Sequence, residues 1–228
     1  DDKYTDLENN FLNKCIHPQC VDTQQFEALK QVFLAGEKLN SVNGDYKRDT
    51  KKGRFHTSDL DGINYGLEQL MAKGIISPSV WFADAGAGDY RVVAVASAVY
   101  GIPSIGVEYD QRLVEIGQGY IQQLGDLGLL NGTPLVIAQG DFTKNRTYRR
   151  SGVQFEDIGV FFNFYNNDKR IAKKIARQSP SGTWFVLETW GMSHGLRPHE
   201  FKGLDYVDTI KGNVQKGLWR DLELFRKP

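Results

Sequence analysis

The 228-residue sequence lacks the features that mark several structural classes. Its only cysteines are Cys15 and Cys20, which are too few for a disulfide-rich scaffold. No run approaches the roughly 18 to 20 apolar residues needed to span a bilayer, and the opening DDKYTDLENN is unlike a signal peptide. We therefore expect a soluble protein of the cytoplasm, or of the nucleus in a eukaryotic cell.

The chain also lacks a net charge, because 28 lysine and arginine residues balance 28 aspartate and glutamate residues. A balanced surface provides no overall field that would recruit nucleic acid or an anionic membrane. Any basic site for a partner must therefore be local.

Metal-ligating residues are few. Cys15, His17 and Cys20 would supply three soft ligands, and three ligands plus water resemble a catalytic zinc site. No second Cys/His cluster closes a structural site, so we favour ordinary thiols. His194, His199 and Glu200, in the segment MSHGLRPHEF, invite a metal or general-base interpretation, but a plain loop is favoured. We therefore expect no metal.

The chain divides into an N-terminal extension, 1–57, and a core domain, 58–228. Apolar residues at three- and four-residue spacing predict helices within 1–43. The segment NGDYKRDTKKGR then loses periodicity and gathers basic residues, which predicts an exposed loop or flap. Its basic residues are Lys47, Arg48, Lys51, Lys52 and Arg54.

Strand and helix patterns alternate through the core domain. Ser58 or Asp59 caps a predicted helix that precedes Pro78, and further helices are predicted near 91–100, 111–128 and 168–178. Apolar, β-branched or aromatic runs predict strands at 80–85, 102–109, 134–141, 158–165 and 183–190. This alternation predicts an α/β fold with a parallel sheet. The last run, VQKGLWRDLELFRKP, predicts a late antiparallel strand at the sheet edge.

A glycine turn follows the first of these strands, in FADAGAGDYRVV. Gly86 and Gly88 allow close backbone approach and positive φ at the position where ligands bind open α/β sheets. The dinucleotide fingerprint places a third small residue where this chain has Arg91, and no Gly-Lys-Ser or Gly-Lys-Thr of a phosphate loop occurs. Asp84 would repel a pyrophosphate and attract an ammonium group.

Acidic residues also end the next two strands. Glu108, in GVEYD, is placed to accept hydrogen bonds from ribose hydroxyls. Asp141 and Phe142, in QGDFT, are placed to accept from an adenine amino group and to lie against the ring. An adenosine with a cationic, amino-acid-like tail is S-adenosylmethionine, which we expect as the cofactor.

The motifs DAGAGDYRV, GVEYD, QGDF and NFYNN resemble those of class I S-adenosylmethionine-dependent methyltransferases, over about 58–228. The resemblance implies a Rossmann-like, mostly parallel sheet of seven strands. Within that class, NYGLEQLMAKGIISPSVWFADAGAGD resembles the disruptor-of-telomeric-silencing family of protein-lysine methyltransferases, with Tyr65-Gly66 as its Tyr-Gly motif. It implies that Tyr65 and Asn163 contribute to the cofactor site and that a protein lysine is the acceptor.

A lysine acceptor must lose its proton, which a desolvating aromatic channel favours. Asn163 is expected to orient the amine, and Tyr165 or Phe164 to face the sulfonium or the substrate cation. We expect Phe161 and Phe162 to be core residues of a buried strand.

Three alternatives remain open. In the first, the methyl acceptor is a small molecule or an RNA. The neutral charge of the chain disfavours RNA, and the absence of an Asn-Pro-Pro-Tyr motif disfavours the enzymes that methylate nucleobase amino groups. In the second, the protein is an NAD-dependent oxidoreductase, an interpretation that Arg91 and Asp84 disfavour. In the third, the protein is an adenosine-binding module without catalysis.

Overall fold

The computed structural model describes residues 23–41, 46–51, 53–164, 167–189, 201–216 and 220–228. Six α-helices lie in these ranges: α1 (Thr23–Asn40), α2 (Leu60–Ala72), α3 (Arg91–Ala98), α4 (Gln111–Asp126), α5 (Asn145–Arg150) and α6 (Asp168–Gln178). The strands are β1 (Arg48–Thr50), β2 (Gly53–Phe55), β3 (Trp81–Ala85), β4 (Ser104–Glu108), β5 (Leu135–Gln139), β6 (Ile158–Phe164), β7 (Trp184–Thr189), β8 (Asp205–Ile210) and β9 (Asp221–Arg226). Two short 3-10 helices cover Phe155–Asp157 and Val214–Lys216.

Seven strands form one sheet in the order β5-β4-β3-β6-β7-β9-β8. The first five are parallel, and β9 runs antiparallel to both of its neighbours. The α/β class and the mostly parallel seven-stranded sheet are thus confirmed. Since β4 and β6 flank β3, the chain reverses its direction of winding at β3, and open α/β sheets bind ligands at such a switch point.

The end of the sheet differs from the prediction. The late antiparallel strand β9 is not at the edge, because β8 pairs with its outer side. Both faces of β9 are covered, with Leu222 and Leu224 on one side and Phe225 on the other. The true edge strand, β8, has mostly exposed side chains, so it lacks the apolar run that reveals a buried strand.

The sheet separates two layers of apolar packing. Helices α1 to α4 cover one face, where Phe82 and Phe162 lie in the first cluster. Helices α5 and α6 cover the other face, where Phe161 packs with Tyr148 and Ile171. Phe161 and Phe162 are therefore core residues on opposite faces, as their alternation in a strand requires.

Local signals explain where the helices begin. The Asp59 carboxylate accepts the Gly62 N–H and caps α2, whereas the neighbouring Ser58 hydroxyl donates to Glu188. Asp110 caps α4 in the same way. Helix α1 buries its predicted apolar stripe, which includes Phe26, Leu29 and Phe33. The division at residue 57 stays a prediction, and Cys15, His17, Cys20, His194, His199 and Glu200 lie outside the described residues.

The exposed basic loop of the prediction is instead a β-hairpin, formed by β1 and β2. Two residues connect Thr50 to Gly53, the shortest common hairpin connection. Among the described helices, none has the length and apolarity to cross a membrane.

A candidate cofactor site at the switch point

The predicted acidic residues meet at one edge of the sheet. Asp84 lies near the end of β3, Glu108 ends β4, and Asp141 follows β5. These three strands are adjacent and parallel, so their carboxyl ends lie side by side. The arrangement places three carboxylates around the switch point, where the sequence predicted them.

An open cleft of about 640 Å³ lies at this edge. Gly86, Glu108, Asp141 and Phe142 line it, and all four were predicted from the sequence. The other lining residues come from the hairpin, from the start of α4 and from the β6–α6 connection: Thr50, Arg54, Phe55, His56, Tyr109, Leu113, Phe164, Asn167 and Arg170. The cleft is thus bounded by sheet, helices and hairpin together.

The glycine turn has the predicted backbone geometry, with φ of 102° at Gly86 and 56° at Gly88. Its amide groups are used within the fold. The N–H groups of Gly86 and Ala87 both donate to the Val107 carbonyl, at 2.9 and 3.0 Å. The Gly88 N–H donates to Glu108 Oε2 at 3.0 Å. A phosphate loop presents its amides to the ligand, so this geometry disfavours pyrophosphate binding at the turn.

Glu108 is held from two sides. Oε1 accepts the Asp110 N–H at 2.8 Å, and Oε2 accepts the Gly88 N–H. Burial raises the pKa of this carboxyl, while the backbone hydrogen bonds oppose that rise. A carboxylate oxygen accepts more than one hydrogen bond, so both oxygens keep capacity for hydroxyl donors from the cleft.

Asp84 is almost completely buried, and within the described residues its Oδ1 has no hydrogen-bond partner. Burial raises the pKa of this carboxyl well above its ordinary value of 3.8, and the nearby carboxylates of Glu108, Glu188 and Asp89 add to the rise. A buried oxygen without a donor is costly unless a ligand supplies one. Asp84 also lines a smaller hollow of about 270 Å³ beneath Phe55 and His56.

Asp141 and Phe142 lie in a turn fixed by α5. Asp141 Oδ1 accepts the Thr143 N–H at 2.8 Å and the Thr143 hydroxyl at 2.6 Å. The Tyr148 hydroxyl donates to the Phe142 carbonyl at 2.9 Å. Both side chains are half-buried and line the cleft.

The remaining predicted residues are placed differently. Asn163 is fully buried and is not among the cleft-lining residues, and its amide donates to the Ala85 carbonyl at the end of β3. Tyr65 lies on α2, where it packs against the hydrophobic core and is not among the cleft-lining residues. Tyr165 lies outside the described residues. Their roles in binding or catalysis remain predictions.

Arg91, which occupies the place of the third glycine, has a linking role that sequence reasoning missed. Its guanidinium is buried and contacts Asp89 at 2.6 Å and Glu37 on α1 at 2.6 Å. Nη1 also donates to the Ser58 carbonyl at 3.0 Å, just before α2. One side chain thus ties α1 and the start of α2 to the glycine turn.

The hairpin covers the glycine turn. The Phe55 ring lies so close to Gly88 that a Cβ at this glycine would be 2.3 Å from it. The Tyr46 hydroxyl, just before β1, donates to Asp89 at 3.3 Å and is 3.1 Å from the Tyr120 hydroxyl. These contacts join segments that are distant in the sequence, so no local sequence pattern reveals them.

Comparisons with known proteins identify the fold. No protein-family model and no curated protein sequence matches the chain. Among solved structures, an RNA methyltransferase from Salinibacter ruber with S-adenosyl-L-homocysteine aligns with a TM-score of 0.52 at 18% identity, over 76% of this chain and 94% of that one. A variant of MtNAS with S-adenosylmethionine aligns with a TM-score of 0.58 at 16% identity, over 89% and 71%.

A candidate RNA methyltransferase from Pyrococcus horikoshii aligns with a TM-score of 0.56 at 18% identity, over 87% of this chain and 98% of that one. None of these three is a lysine methyltransferase by its description, so the resemblance to the disruptor-of-telomeric-silencing family stays a prediction. Identities this low establish architecture alone, and the strand order agrees with it. The chain has the fold of the class I S-adenosylmethionine-dependent methyltransferases.

Proposed function

We propose that this chain is an S-adenosylmethionine-dependent methyltransferase. The observation that carries the proposal is the meeting of Asp84, Glu108 and Asp141 at adjacent strand ends, around a glycine turn whose amides are already bonded. Two of the structural neighbours contain S-adenosylhomocysteine or S-adenosylmethionine, which supports the choice of cofactor.

Each carboxylate suits one part of this cofactor. Glu108 accepts from the two ribose hydroxyls, and Asp141 accepts from the adenine amino group with Phe142 against the ring. Asp84 faces the ammonium of the methionine tail, which would supply the donor that its buried Oδ1 lacks in the described structure. A dinucleotide fits less well, because Arg91 fills the third glycine position and the turn amides are occupied.

The cofactor supplies an activated methyl group on a sulfonium, so the protein mainly needs to orient the reactants and exclude water. Phe55 and Phe164 are apolar walls of the cleft, and the hairpin covers the turn. Asn163 serves as a positioning residue, because its amide holds the Ala85 carbonyl immediately before Gly86.

We further propose a protein lysine as the methyl acceptor. The motif resemblance at Tyr65-Gly66 and NFYNN supports this assignment. Phe164 supplies an aromatic wall to the cleft, and desolvating aromatic surroundings favour the neutral amine that the transfer needs. The same ring lies 4.2 Å from the Arg220 guanidinium. Glu188, buried beside Arg220 at 3.1 Å, keeps that guanidinium in place. Tyr165, which lies outside the described residues, stays the predicted partner of the sulfonium or the substrate cation.

Calorimetric titration with S-adenosylhomocysteine and with NAD tests the cofactor. We expect binding of S-adenosylhomocysteine only, and its loss in Asp84→Ala and Glu108→Ala but not in the exposed control Glu115→Ala. Binding of NAD alone would overturn the proposal.

Transfer of a radiolabelled methyl group to lysine-rich proteins, RNA and small amines then tests the acceptor. Labelling of protein that disappears when the lysines are acetylated supports the lysine assignment. Labelling of RNA or a small amine alone contradicts it, while leaving the cofactor assignment intact.

A further inference from the structure

Although the chain has no net charge, its basic and acidic residues are distributed unevenly along the sequence. Between residues 144 and 178 the sequence holds nine lysine and arginine residues and only three acidic ones. Since the whole chain has 28 of each sign, the remainder holds 19 basic and 25 acidic residues. About one seventh of the sequence therefore carries six net positive charges, balanced by six negative charges elsewhere.

Helices α5 and α6, which hold eight of these nine basic residues, form one surface. The Lys174 ammonium on α6 donates to the Asn145 side chain at the start of α5, and lies 4.0 Å from the Phe155 ring centroid. Tyr148 of α5 and Ile171 of α6 belong to the same buried cluster. We call the outer side of these two helices the α5–α6 face.

The cations of this face are exposed, apart from Lys174, which is buried. In the described part of the chain, no ion pair is formed by six of them: Arg146, Arg149, Arg150, Arg170, Lys173 and Arg177. Concentrated, unneutralised charge of one sign repels itself, and a partner of opposite charge relieves that repulsion.

The face also adjoins the candidate cofactor cleft. Asp141 and Phe142 line the cleft immediately before the turn into α5, and Asn167 and Arg170 line it where α6 begins. Arg170 therefore belongs both to the cleft and to the α5–α6 face. A long ligand on this face would pass the mouth of the cleft.

The chemistry of the face selects among polyanions. Five of its cations are arginines, whose planar guanidinium matches phosphate oxygens in a bidentate geometry. None of the large exposed apolar side chains of the described residues lies on α5 or α6, so the face lacks the apolar anchors of a membrane-binding helix. Phosphates of one strand recur every few ångströms, which suits an extended row of separate cations.

We propose that the α5–α6 face binds the phosphate backbone of a nucleic acid. This is a binding function beyond the proposed methyl transfer, and it requires neither cofactor nor catalysis. A chain with no net charge needs a local basic site to bind a polyanion, and the α5–α6 face is such a site.

Fluorescence anisotropy measures the binding directly. The probes are labelled single-stranded RNA and DNA of about 20 nucleotides, which exceeds the footprint of one domain, and a labelled polyglutamate peptide of similar charge. The test variant is Arg149→Glu with Lys173→Glu. The control is Lys38→Glu with Arg112→Glu, an equal charge change on exposed residues of the opposite layer.

We expect the native protein to bind RNA or DNA, and the test variant to bind about tenfold or more weakly, with the salt dependence reduced by about two phosphate contacts. The control should bind within about twofold of the native protein. Equal weakening in both variants, or equal affinity for polyglutamate, would overturn the proposal.

Circular dichroism shows whether each variant is folded. Titration of the same variants with S-adenosylhomocysteine shows whether the proposed cofactor site still binds. A loss of nucleic-acid binding is thereby distinguished from misfolding and from failure of the cofactor site. A test variant that fails to fold is replaced by Arg149→Gln with Lys173→Gln, compared with Lys38→Gln and Arg112→Gln.

Discussion

Gly88 donates its backbone N–H to Glu108 Oε2 over 3.0 Å, which joins the turn after β3 to the last residue of β4. The carboxylate that we assign to the ribose therefore also fixes the turn that we assign to the methionine tail. Because both parts of the cleft depend on this one side chain, changes at Glu108 affect cofactor affinity more than changes at a carboxylate with one contact.

The first prediction concerns Glu108 itself. Hydrogen bonds to a charged group contribute about 1.5–3 kcal/mol each. Glu108→Ala should weaken S-adenosylhomocysteine binding about 100-fold or more, and Glu108→Gln, which keeps one acceptor oxygen, about tenfold. Calorimetry gives both dissociation constants. Unchanged affinity in a folded Glu108→Ala protein would contradict the ribose assignment.

The carboxylates of this site were predictable because strand ends can be located from apolar runs, and parallel strands bring their ends together. The sequence analysis did not identify the α5–α6 face, because its basic residues form one surface only through the packing of Lys174 and Tyr148.

The hairpin and Arg91 could not be predicted in the same way. Phe55 contacts Gly88, and Arg91 contacts Glu37, only after distant segments have packed. A strand-end position likewise does not fix where a side chain is directed, so Asn163 could be placed at the end of β6 but not assigned to Ala85.

The second prediction tests the buried link formed by Arg91. Arg91→Ala leaves Asp89 buried without its cation, and breaking a buried pair costs about 3–5 kcal/mol of unfolding free energy. Urea denaturation measures the loss. The exposed control Arg112→Ala should stay within about 0.5 kcal/mol of the native protein. The double variant Asp89→Asn with Arg91→Ala should recover part of the loss, since the fully buried carboxylate at position 89 is removed, although Glu37 still lacks its cation.

The third prediction separates backbone strain from the hairpin contact. Gly88→Ala meets Phe55, whereas Gly74→Ala has a similar φ of 67° and no atom within 4 Å of the added Cβ. Gly74→Ala should cost about 1–2 kcal/mol, the strain of the left-handed conformation alone. Gly88→Ala should cost about 1–3 kcal/mol more, from overpacking.

Denaturant midpoints of both alanine variants check this difference. Adding Phe55→Ala to Gly88→Ala should remove the part of the loss that overpacking causes, but not the part that the left-handed backbone conformation causes. Equal losses of unfolding free energy in Gly88→Ala and Gly74→Ala would show that Phe55 does not obstruct a Cβ at position 88.

The fourth prediction concerns pH. Because burial raises the pKa of Asp84 above 3.8, the folded protein binds more protons than the unfolded chain once the pH exceeds that value. The contribution of Asp84 to stability therefore falls as the pH rises from about 4 until the folded group itself ionises. Asp84→Asn should reduce this fall in urea titrations, while the exposed Asp205→Asn should leave it unchanged. Equal slopes in native protein and Asp84→Asn would contradict the assignment.

The same group should link cofactor binding to protons. An ammonium beside Asp84 favours the carboxylate, so binding of S-adenosylhomocysteine should release a proton from Asp84 and strengthen as the pH rises above about 4. Calorimetry in two buffers of different ionisation enthalpy counts the released proton. In Asp84→Asn the release should disappear along with most of the affinity, whereas Asp205→Asn should retain both. Native-like proton release in Asp84→Asn would assign the titration to another carboxyl of the cleft and remove Asp84 from the site.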